Sequence, residues 1–280
     1  MEKKFEKLTF RKRLTSMLKV DTKRMFISPF FYIMVGISFV VPILILVMTS
    51  MMEGTVSVNP QTGVPSEPME GFDFVWQILG AVSSSATAVD PAAAEGAGMG
   101  MSMDLVSMCN INMMFFAVSV LVCVFIADDF RSGYAKNLFT VRAKKSDYVI
   151  SKNVVCFLGS AIMFIAFFIG AVIGGKVAGL PFDMDGFHAG NLLCCMLSKI
   201  FLAPVFVAIF SLMSIIAKQK SWLSICLSLG VGMLLFMMIP MLTPLDATPI
   251  HVLGCLAGST VFSLGLGAIS NVVLKKTALV

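Results

Sequence analysis

Charge is scarce in this chain. Asp, Glu, Lys and Arg make up 13% of its 280 residues, against about 25% in a typical soluble protein. So few charges cannot cover a solvated globular surface, and 58% of the residues are hydrophobic, with a mean hydropathy of +0.91. The balance excludes an ordinary soluble domain and predicts an all-α polytopic membrane protein. Histidine is scarcer still, with only His188 and His251, and HExxH is absent. A metal site using both would have to recruit Asp183, Asp185 or Asp246, and interfacial surface histidines fit the pattern better.

Other absences narrow the chemistry. GxxxxGK[ST] does not occur; Gly174-Gly175-Lys176-Val177-Ala178-Gly179 lacks both its spacing and the hydroxyl that would reach Mg²⁺. The chain therefore has no P-loop with which to hydrolyse ATP. GxSxG is missing too, so a Ser/His hydrolase has no nucleophile elbow. No CxxC appears, and all seven cysteines (Cys109, Cys123, Cys156, Cys194, Cys195, Cys226 and Cys255) lie in or beside apolar runs. They read as small apolar residues rather than disulfide or metal ligands. Met99, Met101, Met103 and Met108 carry the soft thioethers that Cu(I) accepts. No His or Cys stands among residues 99–103, and flexible packing is the better reading.

What the chain does have is apolar runs. Six reach the roughly 20 residues that a helix needs to cross a bilayer: 30–51, 105–127, 149–175, 190–217, 222–242 and 250–274. Little is left for a separate soluble domain, so residues 1–280 read as one transmembrane domain. Residues 52–104 hold seven acids and no Lys or Arg. Within them, Phe72, Phe74, Val75, Trp76, Ile78, Leu79 and Val82 suggest a short helix resting at the outer interface, as part of a lid over an exit or of a spacer.

Basic residues cluster in alternate connections: nine before the first run, from Lys3 to Arg24; Arg131, Lys136, Arg142, Lys144, Lys145 and Lys152; Lys218 and Lys220; and Lys275 and Lys276. Lys and Arg are retained on the cytosolic side. Both termini are therefore expected in the cytosol, residues 52–104 outside, and the chain in the cell membrane. The net charge of +5 reflects sidedness, not nucleic-acid binding. Leu14, Met17, Leu18 and Met25 share one face of a basic segment, the pattern of a helix lying on an anionic inner leaflet. Ser28-Pro29 then marks the first spanning helix, with Ser as N-cap and Pro at the first position.

Polar residues inside the runs are few. Lys199 reads either as a charge lining a wet pathway or as a side chain snorkelling to the outer headgroups. Asn110 and Asn112 are further pathway candidates, and Pro42, Pro204 and Pro240 are candidate kinks.

The second basic connection is the most specific segment. An acidic pair, Asp128-Asp129, directly follows a run. Then come Arg131, Gly133, a helix-compatible stretch through Lys136, Asn137, Leu138 and Phe139, then Arg142. Ser146, a possible N-cap, and Asp147 in the first helical turn precede Tyr148 and Lys152. This resembles the coupling region of ABC-2 type permeases, in which an acidic residue and glycine follow the second span, a short amphipathic helix comes next, and basic residues precede the third. The departure is Asp128-Asp129 where Glu is usual. Asp21-Thr22-Lys23-Arg24-Met25-Phe26, followed by Ser28-Pro29, resembles that family's N-terminal elbow.

The resemblance implies a membrane subunit with no catalytic residues and no bound cofactor. Two such chains, identical or not, would pair in the lipid bilayer, and ATP and Mg²⁺ would sit on a separate ABC ATPase. The helix around residues 133–141 would seat in a groove of that ATPase. Asp128, Asp129, Arg131, Gly133, Lys136, Asn137, Leu138 and Arg142 form the expected joint. An exported amphiphilic peptide or hydrophobic drug suits a pathway with few fixed charges. Sodium export, a membrane-embedded enzyme and a scaffold without cargo are the alternatives.

Overall fold

The computed structural model describes residues 10–51, 75, 78–80, 109–141, 144–179, 189–217, 220–236, 238–244 and 247–276. The described residues are helical, with no strand among them. In chain order the helices are α1 (Phe10–Ile27), α2 (Pro29–Ser50), α3 (Met114–Arg131, preceded by a 3₁₀ turn, Ile111–Met113), α4 (Tyr134–Val141), α5 (Lys145–Val177), α6 (Ala189–Ala217), α7 (Ser221–Phe236), α8 (Met238–Leu242) and α9 (Pro249–Lys276). Five helical segments are long and apolar enough to cross a membrane: α2, α3 with its 3₁₀ turn, α5, α6 and α9.

The fifth expected run contains α7 and α8, which lie on either side of residue 237, outside the described residues. Sixteen residues in α7 give a rise of about 24 Å, short of the roughly 30 Å hydrocarbon core. Pro240 lies inside the short α8. Helix ends shift as well. α3 runs one turn past Ala127 and carries Asp128, Asp129 and Arg131 within it. α5 starts at Lys145 with Lys144 as N-cap, so Ser146 is inside the helix rather than capping it, while Asp147 is in the first turn. Ser28 holds the N-cap position of α2 with Pro29 following, but its side chain caps nothing.

Packing is led by small residues and aromatics. In a membrane, helices gain no water exclusion by meeting, so close backbone approach supplies the attraction. Gly170 and Gly174, one turn apart on α5, let α2 come so near that a Cβ on Gly174 would lie 2.8 Å from the Cα of Ile43. Gly159, farther along α5, leaves room for the Met25 side chain of α1. Phe115 of α3 meets Phe164 of α5 and Phe206 of α6 at ring centroid distances of 4.9 and 4.4 Å. These rings centre a core through α3, α5 and α6.

Two amphipathic pieces dock on this bundle. Met17, Asp21 and Met25 recur every four residues on α1 and are buried, because that stripe packs against α5. Val75, Ile78 and Leu79 belong to the main core, each no more than 2% exposed. They are packed among the helices rather than resting at the outer interface. The rest of residues 52–104 lies outside the described residues.

Candidate functional site

Three buried charges and one half-buried charge, Arg24, meet where α1, α3 and α5 join. Asp21 and Asp129 are 0% exposed and Lys152 1%. Lys152 Nζ lies 2.8 Å from Asp21 Oδ1 and 2.7 Å from Asp129 Oδ2, and Arg24 reaches Asp129 Oδ1 at 2.7 Å. Ser151 donates to Asp21 Oδ2 at 2.6 Å, and the Tyr148 hydroxyl donates to Asp129 Oδ2 at 2.9 Å. Two acids and two bases balance, and both carboxylates gain hydrogen bonds beyond the ion pairs, as buried charges require.

The junction extends to α4. The Arg24 guanidinium carbon sits 3.9 Å from the centroid of the Tyr134 ring, within range of a cation–π contact. Burial opposes the charge on Arg24, but Asp129, together with Tyr134 and Asp21, outweighs it and holds the guanidinium pKa above its ordinary value. Burial, followed by the charge of Asp21, raises the Tyr134 phenol, which keeps that ring neutral beside the cation. A second pair, Arg13 to Asp147 at 3.0 Å, joins the start of α1 to the start of α5.

Gly133 aims α4. Its φ of +72° is a left-handed conformation that other residues adopt at a cost. The Ser132 N–H closes α3 on Asp128 O at 2.9 Å, and Gly133 O accepts the first bond of α4 from Asn137 N–H at 3.0 Å. The chain thus leaves one helix and enters the next without a loop. Leu138 and Phe139 then pack on a small core of Met17, Tyr148, Val149, Ile215 and Leu274, and Ala135 is buried. Lys136, Asn137 and Thr140 are exposed on the other face, as are Asp128, Arg131 and Ser132 at the end of α3.

Among the sequence-predicted joint residues, Asp128, Arg131, Lys136 and Asn137 are exposed. Asp129 is not: it faces inward, its carboxylate occupied within the chain. Leu138 is half-buried beneath the surface, and Gly133 sets its geometry. Arg142 lies outside the described residues.

The pathway candidates cluster at the opposite end of the bundle. Lys199 is 0% exposed and donates to Asn112 Oδ1 at 2.7 Å, Thr243 Oγ1 at 3.0 Å and Thr243 O at 3.3 Å. Three acceptors match the three hydrogens of an ammonium, so the side chain does not snorkel. The same amine flanks Gly80, where a Cβ would lie 3.2 Å from Nζ. Asn110 instead accepts from Asn112 N–H at 3.0 Å and caps the 3₁₀ turn.

Against known families, residues 22–234 match the one described as ABC-2 family transporter protein. The chain belongs to the ABC-2 transporter family. Among curated proteins and among solved structures, nothing matches it. As a member of that family, this chain is a permease, the membrane subunit of an ABC transporter that works with an ABC ATPase subunit. The matched stretch contains Arg24, Asp129, Tyr148 and Lys152 of the junction, α4 and Lys199, and begins one residue after Asp21.

Sequence reading placed Asp21, Arg24, Tyr148 and Lys152 of this permease in the elbow and loop but did not join them. Two signals pointed to them. Asp21 interrupts the apolar stripe of Met17 and Met25 at helical spacing, and Lys152 stands within an apolar run; each anomaly is the other's partner.

Proposed function

We propose that this permease converts ATP-driven movement of a separate ATPase into export of an amphiphilic peptide or hydrophobic drug, with α4 as the contact element. The observation that carries this reading is the tie between an exposed helix face and a buried charge junction. A load on Lys136 or Asn137 reaches α3 through the short Gly133 connection. It reaches α1 and α5 through Tyr134, Arg24, Asp129 and Lys152 without crossing a flexible linker. Buried ion pairs of this kind resist sliding, because parting them leaves uncompensated charge, so α4 and three helices move as one body.

In this reading the basic end is cytosolic, which places both termini there and residues 52–104 outside. A second copy or a paralogous permease completes the pathway, and the ATPases bind ATP and Mg²⁺. Rocking between inward-open and outward-open states then follows from closure of the ATPases. The scarcity of charge inside the spans favours amphiphilic or apolar cargo over multiply charged cargo.

The test is co-purification in mild detergent from the native membrane, with ATPase activity assayed in the eluate. An ATP-binding subunit is expected in about equal amount to the permease. It should be lost from the Arg131→Glu, Lys136→Glu double variant, whose changes are confined to the exposed face. Retention of the ATPase by that variant, or a wild-type chain that elutes alone and inert, would remove the coupling role of α4.

A further inference from the structure

A cavity of about 300 Å³ lies between α5 and α9, with Pro204 of α6 contributing to its wall. The volume is at the small end of the roughly 300–1,000 Å³ typical of ligand sites. Its walls are two helical stripes. On α5, Ser146, Asn153 and Phe157 recur at helical spacing; on α9, Leu264, Gly267 and Asn271 do the same. Small residues on α9, Gly267 and Ala268, leave the space between the helices unfilled.

The polar groups in this cavity are incomplete. Asn153 Oδ1 and Asn271 Oδ1 are buried atoms with no hydrogen-bond partner, an expensive state for a carboxamide. Both side chains point to an occupant that brings N–H or O–H donors. Apart from Ser146 and Ser263 the rest of the lining is apolar, and Ile150, Val154 and Leu264 are 39%, 39% and 74% exposed at its edges, so the cavity meets whatever surrounds the bundle.

Depth identifies the surroundings. Asn153 is eight residues from the start of α5 and Asn271 five from the end of α9, roughly 12 and 8 Å from those tips. α5 has 33 residues and α9 has 28, whereas a hydrocarbon core takes about 20. The two amides therefore fall at the headgroup boundary on the basic side, with Phe157, Pro204 and Leu264 at acyl depth. At the same mouth, Lys145 Nζ ties α5 to α9 by donating to Leu274 O at 2.8 Å, and Lys275 and Lys276 are exposed beside it.

We propose that this cavity holds the headgroup of a phospholipid from the leaflet on the basic side, one whose headgroup carries hydrogen-bond donors. The donors pair with Asn153 and Asn271, the phosphate lies toward the lysines, and an acyl chain follows the apolar edge of α9. Phosphatidylethanolamine supplies ammonium hydrogens and phosphatidylglycerol supplies hydroxyls; phosphatidylcholine supplies neither. The site requires only a membrane around the bundle, so it does not depend on the transport reading.

The experiment is native mass spectrometry of the intact permease released from bilayers. One set of bilayers pairs phosphatidylcholine with phosphatidylethanolamine, the other with phosphatidylglycerol. One retained donor-bearing lipid per chain is expected, enriched on the order of tenfold over phosphatidylcholine. Enrichment in one set only names that headgroup as the ligand. The Asn153→Leu, Asn271→Leu variant should retain all lipids equally. Gly267→Leu, which fills the cavity from α9 and leaves both amides in place, should do the same and decides the matter if the first variant does not fold. Equal retention of phosphatidylcholine by the wild type, or undiminished enrichment in a folded variant, would overturn the site.

Discussion

Lys152 of α5 and Asp129 of α3 lie 2.7 Å apart with side chains 1% and 0% exposed. Each is also held by others, Asp129 by Arg24 and Tyr148, Lys152 by Asp21. Removing one partner strands charge that no solvent can reach. Asp129→Ala is expected to lower stability by about 3–5 kcal/mol, the range for breaking a buried pair. The Asp129→Leu, Lys152→Met double variant should cost clearly less than the sum of its single changes. Thermal unfolding in detergent across the full double-mutant cycle measures this.

Gly133 separates conformation from contact. A Cβ there would meet nothing within 4 Å, so Gly133→Ala should cost only the left-handed backbone term of about 1–2 kcal/mol. Gly133→Asn, which tolerates that conformation, should stay closer to wild type. ATPase co-purification and unfolding temperature are expected to rank the chains Gly, Asn, Ala. The reverse order of Asn and Ala would mean that backbone strain is not what matters here.

The contact of α2 with α5 depends on hydrogen-sized side chains. Gly170→Ala would push a methyl group into the backbone of Phe39 and the ring of Pro42. Over-packing of that kind costs about 1–3 kcal/mol. Gly36→Ala on α2, where a Cβ meets nothing within 4 Å, is the matched control and should be neutral or mildly stabilising. Unfolding temperatures of the two variants in one detergent provide the comparison.

Lys199→Met keeps the length of the side chain and removes its hydrogens. Thr243 Oγ1 still donates to Ile239 O at 2.8 Å, but Asn112 Oδ1 loses its donor. The expected loss is about 1–3 kcal/mol. Adding Asn112→Leu, which removes the orphaned acceptor, should recover part of it. No recovery in the double variant would mean that Lys199 holds this end of the bundle by packing alone.

The membrane class, most of the spans and the family were legible because each rests on local composition. Long apolar runs separated by Lys and Arg survive any detail of packing. The Asp128 to Lys152 segment and the Asp21 to Pro29 elbow carried enough of the family's order of charges to be matched. Less legible were the ends of α3 and α5. Ser146 has the chemistry of an N-cap, yet α5 starts earlier, because Asp147 and Tyr148 are drawn into the helix by Arg13 and Asp129. The 222–242 run has the composition of one span, and the described helices α7 and α8 both lie within it.

Sequence alone therefore determined that this chain lives in a membrane, that its helices have the ABC-2 order, and that a short helix follows Gly133. Those properties are set by hydropathy, periodicity and a left-handed turn, each read from a contiguous stretch of chain. Tertiary structure decided which charges face inward. Asp128 and Asp129 are adjacent and chemically identical; one is open and the other sealed because a helix turns by about 100° per residue, which aims Asp129 at Lys152 and Arg24 from elsewhere in the chain. The same distance in sequence hid the pairing of Lys199 with Asn112, since contacts between helices depend on how rigid rods cross and not on what lies beside each residue in the chain.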